Sequence, residues 1–163
     1  MKTISKAILI LYLLTLLWLV LFKFSFDIFG VLLDHQTRGL NLIPFANYSQ
    51  GNVREMIDNF VVFIPFGLLL GVVLKQTDMW RKLAGIFAFS FAAEVIQFVF
   101  AIGRTDITDV IMNTFGGLAG LALYKLGGRY IDSKKLDWFI VTAGGFLLVL
   151  LILLRVFVLR VRY

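Results

Sequence analysis

Cysteine is absent from the 163 residues, histidine occurs once and proline twice. Without cysteine the chain has no disulfide, no thiolate metal site and no thiol nucleophile. The lone histidine, His35, lacks the companions that a zinc site of three or four protein ligands needs, and reads as a surface residue. No Walker loop, dinucleotide-binding glycines, HExxH or GxSxG motif occurs, so neither a cofactor nor a metal is expected. Charge is scarce as well: 16% of residues are charged against 60% hydrophobic, with a mean hydropathy of +0.92.

What fills the chain instead is apolar sequence in runs long enough to cross a bilayer. Five spans are predicted: Ala7 to Phe22, Met56 to Leu74, Leu83 to Ile102, Ile107 to Leu126 and Trp138 to Leu159. The fold class that follows is all-α, a small polytopic helix bundle forming one membrane domain over residues 1–163. Trp18, Trp80, Tyr130 and Trp138 stand near span ends, where amphipathic rings anchor at the interface. The first span follows Lys2 and Lys6 like a secretory signal, but it is long for one. No small-residue cleavage site comes after it, so it is read as a retained helix.

The net charge of +6 does not point to nucleic acid, because the basic residues sit mostly in short connectors. Their distribution orients the chain. With the N-terminus in the cytoplasm, that side collects Lys2, Lys6, Lys75, Arg81, Lys82, Lys125, Arg129, Lys134 and Lys135. The other side holds Lys23, Arg38, Arg54 and Arg104, which satisfies the positive-inside rule. Arg155, Arg160 and Arg162 run against it if the fifth helix spans.

Within these apolar runs Asn59, Glu94, Gln97, Arg104, Asp106, Asp109 and Asn113 are conspicuous, because charge in hydrocarbon is expensive unless paired, solvated or used. Ser90, Glu94 and Gln97 share one face of the third span, and Asp106, Asp109 and Asn113 repeat at helical spacing on the fourth. The two stripes, joined by a tight connector, are expected to face each other on the outer half of the membrane. Asp106 or Thr105 is a plausible N-cap, and Arg104 the natural counter-charge. Three roles stay open for the cluster. It can be a satisfied structural network, a binding site for a lipid headgroup or sugar, or a catalytic site. In the last, Glu94 would be the acid/base, its pKa raised by burial, beside Asp106 and Asp109 as ligands of a divalent cation or of the substrate, although two Asp three apart are a weak metal signal.

The first loop, Lys23 to Glu55, carries Phe24, Phe26, Ile28 and Phe29 before a polar stretch, and is expected to lie along the interface. Pro65 should free the carbonyl near Val61, next to Asn59. Gly67-xxx-Gly71 and Gly116-xxx-Gly120 offer flat stripes for close helix packing within one subunit.

Taken in order, Asn41-Leu42-Ile43-Pro44-Phe45, Asn59 with Phe63-Ile64-Pro65-Phe66-Gly67, Glu94-Val95-Ile96-Gln97, Arg104-Thr105-Asp106-Ile107-Thr108-Asp109, and Asn113 with Gly116, Gly117 and Gly120 resemble the VanZ-like family. The resemblance covers Asn41 to Tyr124 and leaves the fifth helix outside. It implies a bacterial cytoplasmic-membrane protein, from a family whose founding member confers low-level resistance to the lipoglycopeptide teicoplanin without altered peptidoglycan precursors. It implies no particular reaction. Partners expected on this reading are membrane lipids and a lipid-linked envelope precursor or lipoglycopeptide. The ligand-binding set would be Asn41, Asn59, Glu94, Gln97, Arg104, Asp106, Asp109 and Asn113. The alternative is an intramembrane enzyme that modifies an envelope lipid or glycan.

Overall fold

A computed structural model of the chain describes residues 2–22, 39–46, 50–102 and 104–161. In chain order these form α1 (Lys2–Leu21), β1 (Gly39–Asn41), α2 (Gln50–Val73), α3 (Met79–Phe100), β2 (Arg104–Asp106), α4 (Ile107–Tyr130) and α5 (Ser133–Val161). All five helices are long and apolar enough to cross a membrane. The all-α reading therefore holds, and the helices begin earlier than hydropathy suggests: α1 at Lys2, α2 at Gln50 and α5 at Ser133. The extra turns carry Lys, Arg, Asp and Glu, which a hydropathy window trims although they continue the helix. Most of the first loop, with His35, lies outside the described residues.

Successive helices alternate in direction, so alternate helices run parallel. α2 and α4 begin at the same end and make the most extensive contact in the bundle. Their glycines explain why. A Cβ at Gly67 would run into the carbonyl of Gly117, one at Gly116 into that of Phe60, and one at Gly120 into that of Ile64. The stripes thus bring two backbones together within one chain. In lipid, where burial of apolar side chains adds no hydrophobic drive, such close van der Waals packing is what holds helices together. Gly117 also takes the side chain of Ile86 from α3 into the same seam.

Around this pair, α1 presents Leu9, Tyr12, Leu16 and Val20 at helical spacing to the core. Phe63, Phe66 and Phe89 pack edge-on or tilted, with centroids 5.5–6.3 Å apart, and join α2 to α3. Pro65 stays inside a continuous α2. The carbonyl taken up by an outside donor is that of Val62, one residue beyond the expected Val61, where the Tyr12 hydroxyl donates at 2.7 Å.

The two strands were not anticipated. β1 and β2 pair in parallel with Asn41 opposite Asp106, Leu40 opposite Thr105 and Gly39 opposite Arg104. Each has three residues, too short for an alternation to register in the sequence.

Candidate functional site

At the end of the bundle where α2 and α4 begin, the strand pair sets one polar side chain against another. Asn41 Nδ2 donates to Asp106 Oδ2 at 2.8 Å, while Asn41 Oδ1 accepts from the backbone N–H of Ile43 at 3.2 Å. Asp106 is also the N-cap of α4: its Oδ1 accepts from Thr108 N at 2.9 Å, satisfying one of the donors every helix start leaves unpaired. The backbone N–H of Asp106 donates in turn to Glu94 Oε2 at 3.0 Å. A buried carboxylate on α3 thereby holds the residue that caps α4.

Local geometry makes this meeting possible. α3 closes at Ala101, which takes a left-handed conformation (φ 54°), with the Ile102 N–H returning to the Gln97 carbonyl at 3.0 Å. The chain reverses at once, so Thr105 and Asp106 come back level with Glu94, and the Thr105 hydroxyl donates to the Glu94 carbonyl at 3.3 Å. On the other side Phe45, also left-handed (φ 59°), is held by a bond from its N–H to Thr108 Oγ1 at 3.1 Å. The segment around Asn41 to Phe45 is thus hydrogen-bonded to the segment Arg104 to Thr108, though more than sixty residues separate them.

Deeper in the bundle Asn113 Nδ2 donates to Ser90 Oγ at 2.8 Å, both residues fully buried. Here, and at Glu94 with Asp106, the polar stripes of α3 and α4 do face each other. Gln97 departs from that pattern. Its Nε2 turns toward α1 and donates to the carbonyls of Val20 at 2.9 Å and Leu21 at 3.3 Å, closing the end of that helix. Asp109 and Asn59 are buried, and the carbonyl of Phe60, next to Asn59, lies against Gly116, within a turn of Asn113. Arg104 is exposed, its stem lying over Gly39, and it makes no ion pair with a described residue. Backbone and amide donors meet Asp106 and Glu94: Thr108 N–H and Asn41 Nδ2 on Asp106, and the Asp106 N–H on Glu94.

Gln97 Oε1 and Asn113 Oδ1 remain buried acceptors with no donor among the described residues. Beside the network lies a hollow of about 270 Å³ bordered by Leu40, Leu42, Phe91 and Phe98, with Glu94 and Asp106 behind an apolar wall. Among the described residues no three histidine or acidic side chains gather closely enough to hold a metal ion.

The opposite end has its own polar contact, which sequence reading passed over because Asp137 sits alone at the head of an apolar run. Asp137, buried on α5, takes the Tyr124 hydroxyl on Oδ1 at 2.9 Å and pairs through Oδ2 with Lys75 of the α2–α3 turn. The hydrogen bond to Asp137 holds the Lys75 pKa above its usual value.

Five apolar spans around a buried polar network define a small multi-pass membrane protein. The chain matches the VanZ/LLP1 family model over residues 9–131 and belongs to that family. It is 52% identical to protein VanZ of Enterococcus faecium over 162 residues, 99% of this chain and 98% of that protein, so the likeness runs on through α5. No solved structure matches it.

Proposed function

We propose that this protein lowers bacterial susceptibility to teicoplanin-type lipoglycopeptides, acting from the cytoplasmic membrane through the polar network built on Asn41, Glu94 and Asp106. The observation that carries this reading is the 52% identity with VanZ across essentially the whole of both chains. The network supplies the recognition. Asn59, Gln97, Asp109 and Asn113 extend it into the bundle as buried polar residues that support the site from behind. The apolar hollow beside the network suits the hydrocarbon part of a lipid-anchored ligand. Arg104, exposed at the rim, offers an anion-binding fork. The N-terminus lies in the cytoplasm on this reading, which puts the network at the outer leaflet, where such drugs act.

Catalysis has less support. Both carboxylate oxygens of Asp106 are engaged in fixing Asn41 and the start of α4, and Glu94 holds a backbone N–H. The test is the teicoplanin and vancomycin inhibitory concentration for a susceptible Gram-positive host expressing the chain or its Glu94→Gln variant. A teicoplanin-selective rise with the wild type is expected. Glu94→Gln keeps the side chain's shape and one acceptor oxygen but removes the charge, and should abolish the rise while the protein still inserts. No rise with the wild type, membrane expression being verified, would sink the function; an undiminished rise with the variant would sink the site.

A further inference from the structure

At the end of the bundle away from the polar network, a pocket of about 500 Å³ opens between the first turns of α1, the end of α2 and the start of α5. Lys2, Lys6 and Lys75 line it, and Asp137 is the one acid among its described lining residues. Three lysines against one carboxylate leave a formal excess of two positive charges. Asp137 is already committed to Lys75 and to the Tyr124 hydroxyl, so it fixes the Lys75 ammonium in the wall and leaves its other N–H donors available. Lys2 and Lys6 have no acidic partner among the described residues. A second hollow of about 290 Å³ shares Lys75 and Thr77 and adds Lys82 and Lys125, so the positive field spreads across this end.

The lining also states what kind of anion fits. Lys2 begins α1 and Val73 ends α2, which sets the lysines where hydrocarbon gives way to headgroups. Val72, Val73 and Leu74 form an apolar wall on the same pocket, and Gln76 and Thr77 add neutral polar groups. A small inorganic ion would need no apolar wall and would leave most of such a volume unfilled, since pockets of this size match molecules of drug-like dimensions. Basic pockets between membrane helices at headgroup depth bind phosphate-bearing lipids by this combination of charge and aliphatic surface. We propose that this pocket is a binding site for the phosphate headgroup of an anionic glycerophospholipid, with Lys2 and Lys6 on the phosphate oxygens, Lys75 as the fixed anchor, and Gln76 and Thr77 near the glycerol hydroxyls. The site is distinct from the polar network and does not depend on its role.

The experiment uses the full-length protein purified in a neutral detergent. It is titrated with phosphatidylglycerol, with phosphatidylcholine of the same acyl chains, and with inorganic phosphate, while lipid retention is read by native mass spectrometry and stability by thermal unfolding. Phosphatidylglycerol should bind and raise the melting temperature, and the Lys2→Gln/Lys6→Gln variant should bind it on the order of tenfold or more weakly. Lys134→Gln/Lys135→Gln removes equal charge from the same end outside the pocket and should change little. Equal retention of phosphatidylcholine, an unaltered affinity in the Lys2/Lys6 variant, or an equal loss in the Lys134/Lys135 control would overturn the site. Full competition by millimolar inorganic phosphate would overturn the lipid assignment in favour of an ion site. Lys75→Gln leaves Asp137 short of a partner and can weaken the fold, so the conclusion rests on Lys2 and Lys6.

Discussion

Asn41 does two things at once: its amide donates to Asp106 and its carbonyl fixes the turn into Ile43. An amide can do this and a carboxylate cannot, because an ionised acid offers acceptors only. Asn41→Ala should cost about 1 kcal/mol, the usual net worth of a hydrogen bond, since Asp106 is only half-buried. Asn41→Asp should cost more at pH 7, where it sets an anion against Asp106, and should recover as the pH falls and the pair shares a proton. Thermal unfolding of the purified variants at pH 7 and pH 5 checks both; an Asn41→Asp protein as stable as wild type at pH 7 would mean the contact carries no weight. The sequence marked Glu94 and Asp106 as polar residues out of place and set their stripes face to face, while Asn41 entered only with its motif and was not paired with Asp106. Their pairing depends on three-residue strands and on a left-handed turn at an alanine, features with no periodicity to read. Gln97 turned elsewhere for a related reason: helical spacing tells which face a residue occupies, not which neighbour lies opposite, and its amide meets the end of α1.

For the helices the sequence was a better guide. Hydropathy identified all five, and the small-residue stripes announced close packing, although nothing in them said that α2 and α4 would be each other's partner. That follows from topology: the two helices start at the same end and run parallel, so a fixed offset between residues keeps Phe60 against Gly116 and Gly67 against Gly117 and Leu121. The seam tolerates no side chain. Gly120→Leu should separate the pair by inserting four carbons where the backbone of Ile64 and Leu68 now lies, at a cost of about 1–3 kcal/mol or more. Gly85 offers the control, since a Cβ there meets nothing. The expected outcome is a lower melting temperature and less monodisperse protein for Gly120→Leu, with Gly85→Leu close to wild type. Equal behaviour of the two would show that the α2–α4 contact does not hold the bundle.

At the scale of the whole molecule the two polar ends are different in kind. One is a network of amides and carboxylates tied to backbone; the other is rich in lysine. Nine of the sixteen basic residues of the chain belong to the lysine-rich end, including both that precede the first span, which weighs most in setting orientation. Against them stand Arg155, Arg160 and Arg162. The α5 helix has 29 residues, about 44 Å of helix, enough to cross the hydrocarbon core and carry the chain to the other side. The conflict makes the orientation worth measuring, and the absence of cysteine makes the measurement clean. Single cysteines at Leu42 and Gln76, exposed residues at opposite ends of the bundle, can be challenged in intact cells with a membrane-impermeant maleimide. Leu42→Cys should label at once and Gln76→Cys only after permeabilisation. The reverse pattern would turn the polar network to the cytoplasm and remove the ground for its acting on drugs at the outer leaflet, while the lysine pocket would then face the outer leaflet and draw its lipid from there.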